Sequence, residues 1–264
     1  MQQSFKKAPF KGAFFVYLFV TYAFFLENLW ADSCHTHAIN EFANVDTVFD
    51  GDTFRLQDGR KVRLVGIDTP EMGWENNPPE PLAKQAKARL LKLIGESKRI
   101  GLVFDHDLYD KYDRLLAHVY NEKGRNMSAA MLNQGLATQM LIPPNLKFID
   151  CYKVEEQYAR EKSYGLWQLP AYQAKAVQAW DGKTGRYQFL VGMVTKIKRT
   201  PRGYRLSLDS KLSIHIPASD ITYFNAMDIG SLLGKRLKVR GKVFRSKQGL
   251  SMLLRHPYAM EQVN

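Results

Sequence analysis

Short runs of alternating polar and apolar residues, each closed by a turn sequence, constrain the fold of this chain most. Val45–Leu56 alternates and leads to Asp58-Gly59, after which Lys61–Ile67 resumes the alternation. Because side chains alternate between the two faces of a strand and Asp-Gly favours a tight turn, this segment predicts a β-hairpin. Ile100–Phe104 and Leu115–Tyr120 are predicted as further strands.

Helical spacing of apolar residues appears after the first hairpin. Leu82, Ala86, Leu90 and Leu93 share one face of a predicted helix. Met127–Leu136 and Tyr152–Lys162 are predicted as two more helices. Strands first and helices later predict a small β-barrel with helices packed on it, in a domain over residues 41–170.

A second domain is predicted over residues 171–264. Ala171–Arg186 is polar and contains two glycines, which marks a boundary. Because the strands that follow are short and separated by turn sequences, they predict a second small barrel of the OB type, with five strands. The five predicted strands are Phe189–Lys198, Tyr204–Asp209, Leu212–Ile216, Arg236–Phe244 and Leu250–His256.

The first 40 residues have the pattern of an export signal. Three lysines precede the uncharged, apolar run Gly12–Leu26, which is shorter than the roughly 20 residues of a spanning helix. Ala31 and Ser33 are small residues placed for a cut before Cys34. We therefore expect residues 1–40 to form a signal peptide, or an uncleaved N-terminal membrane anchor, with a linker. The predicted location is outside the cytoplasm of a bacterium, as a secreted, periplasmic or envelope-anchored protein.

The cysteine content excludes two classes of small protein. Two cysteines cannot form a disulfide scaffold or a zinc site of four thiolates. A lipid on Cys34 stays open, although the residues before it are a poor lipobox. Because Cys34 lies at the predicted mature terminus, we expect Cys151 to be a free buried thiol.

The positive charge is concentrated in the second predicted domain. Residues 41–170 carry a net charge of −1, whereas residues 171–264 have 17 basic and 5 acidic residues, a net charge of +12. Every second residue of Arg236–Val243 is basic, which predicts an apolar inner face and a cationic outer face. A basic sheet face with interleaved aromatics favours single-stranded nucleic acid as the partner. A solvated surface or attraction to anionic lipid are the alternatives.

Acidic residues concentrate around the first predicted hairpin. Asp50-Gly51-Asp52-Thr53 stands where a strand starts, and Asp68-Thr69-Pro70-Glu71 follows the hairpin. Carboxylates at strand ends are the oxygen ligands that Ca²⁺ or Mg²⁺ requires. Arg63 lies between the two motifs in an apolar strand. Its side chain is therefore either on the solvent-exposed face of the strand or paired with a carboxylate in a pocket.

A second arginine completes a pattern suited to phosphate chemistry. Arg114 ends the motif Asp110-Lys111-Tyr112-Asp113-Arg114 just before a predicted strand. Two arginines match phosphate oxygens, a cation neutralises developing charge, and a spare carboxylate can deprotonate water. Taken alone, each acidic motif can be interpreted as an ordinary turn sequence and each arginine as an ordinary salt-bridge partner. Their joint occurrence in this order predicts a phosphodiester site.

These motifs together resemble the thermonuclease (staphylococcal nuclease) family over about residues 44–168. The resemblance implies an OB-type five-stranded barrel with three helices, mostly β with α, and a Ca²⁺-dependent phosphodiesterase that acts on DNA and RNA. The C-terminal part resembles the OB-type modules that accompany some bacterial nucleases, and a monomer is expected. The motifs that carry the resemblance are Asp50–Thr53, Val62–Leu64, Asp68–Glu71, Asp110–Arg114, Gln134–Ala137 and Gly165–Trp167.

The resemblance also implies a role for individual residues. Metal ligation is implied for Asp52, Asp68 and the carbonyl of Thr69. Glu71 is expected to activate water. Arg63 and Arg114 are expected to bind the scissile phosphate and to stabilise its transition state.

The sequence departs from the family pattern near the substrate. Leu141 and Pro143 stand where the type enzyme has tyrosines that contact the nucleotide, and Asp113 replaces a glycine beside Arg114. The base preference and the turnover of this chain are therefore not carried over from the family, whereas the predicted catalytic residues are all present. The rival hypothesis is a catalytically silent nucleic-acid-binding or scaffold protein on the same fold.

Overall fold

The computed structural model describes residues 34–263 except 37, 74–76, 183, 186 and 248. Residues 1–33, which carry the predicted signal peptide or anchor, lie outside the described residues. No helix in the described part of the chain is long and apolar enough to cross a membrane.

A closed five-stranded barrel forms the first half of the described chain. Its strand order is β1-β2-β3-β6-β5, with β5 paired back to β1. All neighbours are antiparallel except β3 and β6, which run parallel. A separate two-stranded ribbon pairs β4 with β7. The strands are β1 (Glu41–Val48), β2 (Thr53–Leu56), β3 (Lys61–Leu64), β4 (Ile67–Asp68), β5 (Arg99–Val103), β6 (Leu115–Asn121) and β7 (Thr138–Gln139).

The predicted strand Val45–Leu56 is in fact parts of two strands. The chain turns between β1 and β2, and the Phe49 N–H donates to the Thr53 carbonyl at 2.9 Å. Asp50 and Gly51 supply the turn chemistry that interrupts the alternation. The predicted turn at Asp58-Gly59 does connect β2 to β3, with Gly59 at a φ of 92°.

Within the described residues, three α-helices pack on the barrel, as the resemblance implied. Alternate strand residues such as Phe54, Leu64 and Val119 fill the barrel interior and are completely or almost completely buried. Tyr152 is fully buried, and its hydroxyl lies 2.8 Å from Nδ1 of His118. The helices are α1 (Ala83–Ile94), α2 (Met127–Asn133) and α3 (Ile149–Glu161).

The prediction of a free thiol at Cys151 is wrong. Cys34 and Cys151 form a disulfide with their Cα atoms 5.5 Å apart, and both residues are buried. The Tyr120 hydroxyl donates to the Cys34 carbonyl at 2.7 Å, which holds the N-terminal segment against the barrel. The cysteines are 117 residues apart, so sequence spacing carries no signal that the chain returns to this point.

A second barrel repeats the connectivity of the first. Five of its strands follow the order β9-β10-β11-β13-β12 and close through β12–β9 pairing, with β11 and β13 parallel. This is the connectivity of β1-β2-β3-β6-β5, so the predicted pair of OB-type barrels is confirmed. The strands of this half are β8 (Lys175–Ala176), β9 (Tyr187–Thr200), β10 (Gly203–Leu208), β11 (Leu212–Pro217), β12 (Arg236–Ser246), β13 (Gly249–Leu253) and β14 (Met260–Val263).

The basic face of β12 reaches solvent only in part: Arg236 and Lys242 are exposed and Lys238 is half-buried, but Arg240 is covered. Arg240 is only 7% exposed because it packs against the first barrel's helical layer. Its guanidinium forms an ion pair with the buried carboxylate of Glu156 and donates to Gln139 Oε1 at 2.9 Å. The Tyr187 hydroxyl donates to the Gln139 carbonyl at 3.2 Å. The alternation of basic and apolar residues predicted the cationic face of β12, but it did not predict that the helical layer of the first barrel covers Arg240.

Apolar and aromatic contacts complete this docking. Trp167 packs on Phe189 with ring centroids 5.5 Å apart. Leu141 belongs to the apolar core of the second barrel, although it comes before that barrel in the sequence. The Tyr258 hydroxyl donates to Asp150 at 2.7 Å. The two barrels therefore share a packed interface rather than a flexible connection.

Removal of the Arg240 guanidinium should destabilise the protein. Arg240→Met leaves the Glu156 carboxylate buried without its charge partner, so we expect the free energy of unfolding to fall by about 3–5 kcal/mol. Equilibrium urea unfolding monitored by tryptophan fluorescence measures this change. Arg55→Met, which removes an exposed arginine, should cost no more than about 1 kcal/mol. Equal, small decreases in both variants would contradict the buried network.

Candidate active site

Four of the predicted site residues contact one another beside β3 and β4. Arg63 comes from β3, Asp68 from β4, Thr69 from the following loop and Asp52 from the turn before β2. All four are within direct bonding distance of at least one other member. The structure thus joins the two acidic motifs, whose aspartates Asp52 and Asp68 are 16 positions apart in the sequence.

Arg63 is paired in a pocket, which settles the choice that the alternation left open. Its Nη1 lies 2.9 Å from Asp52 Oδ2, and its Nη2 lies 3.2 Å from Asp68 Oδ1. Nη1 also donates to the Leu64 carbonyl at 3.2 Å. The side chain is 8% exposed. A buried guanidinium therefore bridges the two carboxylates and fixes their separation.

Local turn geometry holds Asp52 in place. The Thr69 N–H and hydroxyl donate to Asp52 Oδ2 at 2.8 and 2.9 Å, and the Thr53 hydroxyl donates to Oδ1 at 3.0 Å. Gly51 sits so close to the Thr69 side chain and to α1 that a Cβ there would lie 2.7 Å from the Ala86 Cβ. The Asp-Gly-Asp motif therefore requires glycine at its centre.

Asp68 connects the first barrel to the second. It pairs with Thr138 across the β4–β7 ribbon, and the Thr138 hydroxyl donates to its carbonyl at 3.4 Å. Lys242 Nζ, from β12, lies 3.4 Å from Asp68 Oδ1. Burial raises the pKa of Asp68, while Lys242 and Arg63 act in the opposite direction.

Negative charge is crowded around this group. Burial raises the pKa of Glu71, and the nearby charges of Asp52 and Asp68 raise it further. Burial and the charge of Asp52 also raise the pKa of Asp50 to about 7. Asp50 Oδ1 accepts the Asp52 N–H at 3.0 Å, which makes it a support for the turn.

The donor chemistry of the cluster fits a divalent cation. Asp52 and Asp68 supply carboxylate oxygens, and Thr69 supplies a backbone carbonyl, which is the all-oxygen set that Ca²⁺ and Mg²⁺ take. Arg63 and Lys242 are the positive charges that contact Asp52 or Asp68 in the described chain. The raised pKa values of Asp68 and Glu71 indicate that further positive charge would stabilise the ionised cluster.

Arg114 lies apart from the carboxylate cluster but on the same cleft as Arg63. The two arginines line a cleft of about 110 Å³ together with Asp110 and Pro143. Arg114 pairs with Asp110, whose Oδ2 lies 2.6 Å from Nη2. Asp113 is exposed and adopts a φ of 59°, a left-handed conformation that aspartate tolerates. The partner of Arg114 is thus Asp110 rather than the adjacent Asp113.

Sequence reasoning missed two contacts of the predicted site residues. Lys242 lies 174 positions from Asp68, and no periodicity within either domain could bring them together. Asp110 is part of a recognised motif, but only the loop geometry reveals it as the partner of Arg114. Leu141 is buried in the second barrel's core, so it is not available to a nucleotide.

Comparison with known proteins agrees with this geometry. Residues 61–169 match the family described as Staphylococcal nuclease homologue. Endonuclease YncB of Bacillus subtilis (strain 168) is 34% identical over 149 residues, which span 54% of this chain and 70% of the relative. Thermonuclease of Staphylococcus intermedius is 34% identical over 128 residues, 47% of this chain and 74% of the relative. SPbeta prophage-derived endonuclease YokF of Bacillus subtilis (strain 168) is 35% identical over 133 residues, 48% of this chain and 44% of that relative.

An OB-type barrel with this family match places the chain in the nuclease class of hydrolases. The chain belongs to the staphylococcal nuclease family. The family match ends at residue 169, before the second barrel begins.

Proposed function

We propose that this chain is an exported, Ca²⁺-dependent nuclease that hydrolyses phosphodiester bonds of DNA and RNA. The catalytic domain spans residues 41–170, and residues 171–264 form an accessory domain. One chain carries every proposed site residue, so we expect the monomer to be active.

Each proposed role uses a feature of the observed geometry. Asp52, Asp68 and the Thr69 carbonyl would hold the cation, which supplies electrostatic stabilisation of phosphate charge. Glu71 accepts a proton from the attacking water, a task that suits a carboxyl group with a raised pKa. Arg63 and Arg114 present guanidinium groups to the phosphate from one cleft.

The observation that carries the proposal is the buried bridge from Arg63 to Asp52 and Asp68. A structural salt bridge needs one carboxylate, whereas this buried guanidinium is held between two carboxylates and also lines the cleft that contains Arg114. Its Nη groups are therefore fixed before substrate binds. Preorganised donors of this kind stabilise transition-state charge without reorganisation.

Cleavage of DNA and RNA by the purified protein should depend on Ca²⁺. We expect a chelator to abolish cleavage and excess Ca²⁺ to restore it. Asp68→Asn should raise the Ca²⁺ concentration for half-maximal rate by more than about tenfold, because a proposed ligand loses its charge. Asp46→Asn, at an exposed aspartate of β1, is the matched control and should behave like the wild type.

Two outcomes would contradict this part of the proposal. Cleavage that is insensitive to the chelator would exclude a requirement for a divalent cation. Nucleic-acid binding without any turnover in Ca²⁺ would favour the silent binding protein instead.

Export is supported by two independent features. The N-terminal sequence has a basic segment followed by a short apolar run, and the Cys34–Cys151 disulfide is typical of an oxidising compartment. The mass of the mature N-terminus tests export. A chain that begins at Cys34 supports it, and an intact chain with reduced thiols in the cytoplasm contradicts it.

The accessory domain is proposed to bind single-stranded nucleic acid through the outer face of β10 and β11. Arg205 lies opposite Lys198 on one side and opposite His215 on the other, so three basic or ionisable residues form a row. The alternate residues Leu206 and Ile214 point into the core. This face corresponds to the second and third strands of an OB barrel, which commonly carry oligonucleotide sites.

Neutralising this row should weaken binding without changing the chemical step. Lys198→Gln with Arg205→Gln should reduce the salt dependence of oligonucleotide affinity by about 0.7 in logarithmic slope for each phosphate that is no longer neutralised. Fluorescence anisotropy over a range of salt concentrations measures the slope. Lys92→Gln, on the exposed side of α1, is the control. An unchanged slope in the double variant would contradict this role.

A further inference from the structure

We propose that the cleft between the two barrels is a second phosphate subsite, in which Lys242 and Lys175 bind backbone phosphates of the strand that enters the active site. This inference extends the proposed nuclease function and rests on it. It assigns a direct substrate contact to the accessory domain at the catalytic centre, separate from the β10–β11 face.

The cleft has walls from both halves of the chain. Its volume is about 230 Å³. The first barrel contributes Asp68, Thr69 and Glu71, which belong to the proposed metal ligands and water-activating group. The second half contributes Lys175, Tyr187, Lys242 and Asp181, so that wall carries two ammonium groups and one carboxylate. A strand bound at the carboxylates therefore has lysine ammonium groups along the opposite wall.

The position of Lys242 is fixed by its own strand. Arg240 and Lys242 are two residues apart on β12, so their side chains share one face. Arg240 is anchored in the buried network with Glu156 and Gln139, whereas Lys242 has a half-exposed side chain at the cleft. The buried anchor places the exposed ammonium beside Asp68.

The interaction between Lys242 and Asp68 is too weak to serve as a lock on the site. Nζ and Oδ1 are 3.4 Å apart, and the lysine side chain is 51% exposed. Because the ammonium is half-exposed, a divalent cation at the carboxylates can displace it from Asp68. The ammonium is then free to pair with a phosphate, since lysine binds phosphate as a mobile point charge.

Lys175 adds a second charge on the same wall. It lies on β8 and is exposed. β8 runs parallel to β9, with Lys175 opposite Leu190 in the register. Two lysines on separate strands suit successive phosphates of a flexible single strand better than one rigid anion.

Oligonucleotide binding without turnover tests the subsite. In a Glu71→Gln background with Ca²⁺ present, a fluorescent single-stranded oligonucleotide is titrated at several salt concentrations. We expect Lys242→Gln to weaken binding several-fold and to reduce the logarithmic salt slope by about 0.7, the value for one phosphate. Lys242→Arg keeps the charge and should keep the slope.

Lys235→Gln is the matched control. Lys235 is exposed and directly precedes β12, roughly 23 Å from Lys242 along the strand. It should leave the slope unchanged. Lys175→Gln should reproduce the effect of Lys242→Gln, and the two changes together should remove about 1.4 from the slope.

Two results would overturn the subsite. The first is an unchanged salt slope in Lys242→Gln. The second is a faster Lys242→Gln enzyme that needs less Ca²⁺ with unaltered oligonucleotide affinity, which would make Lys242 an inhibitory lock on Asp68. Absence of cleavage by the wild type in Ca²⁺ would instead refute the proposed nuclease function, and the binding slopes would still decide the subsite.

Discussion

The buried guanidinium of Arg63 is the interaction on which the arrangement of the site depends. Asp52 comes from a turn and Asp68 from a two-residue strand, so the two carboxylates belong to separate elements. The guanidinium joins them at 2.9 and 3.2 Å in a pocket largely closed to water. Loss of the charge would leave two carboxylates close together in a poorly solvated place, which is costly. The same group that organises the carboxylates also lines the cleft where phosphate is proposed to bind.

The second barrel supports this site through β12 rather than merely following it in the chain. Arg240 bonds to Gln139, and Gln139 pairs with Ile67 next to Asp68. A proposed metal-binding carboxylate is thus one residue from a position held by the accessory domain. The basic residues of the C-terminal half fall into at least two groups. Arg240 forms an ion pair that joins the second barrel to the first, whereas Lys198 and Arg205 lie on an outer face.

The fold was largely predictable because both barrels are built from strands with clear alternation. The five predicted C-terminal strands correspond to β9, β10, β11, β12 and β13. In the first half, the predicted strand Val45–Leu56 divides between β1 and β2, and Lys61–Ile67 divides between β3 and β4. β4 and β7 have two residues each, too few to show any period. The disulfide and the pairing of Lys242 with Asp68 join residues more than 100 positions apart, so they depend on how the elements pack.

The most direct test of the account is the single-turnover rate of phosphodiester cleavage by Arg63→Lys at saturating Ca²⁺. Lysine keeps the charge but cannot bridge two carboxylates and a phosphate in a fixed plane. We predict a rate about 10²–10³ times lower than that of the wild type, comparable with the loss of one preorganised transition-state donor. Arg55→Lys, at an exposed arginine of β2, should cleave at the wild-type rate. A folded Arg63→Lys protein that cleaves as fast as the wild type would contradict the account.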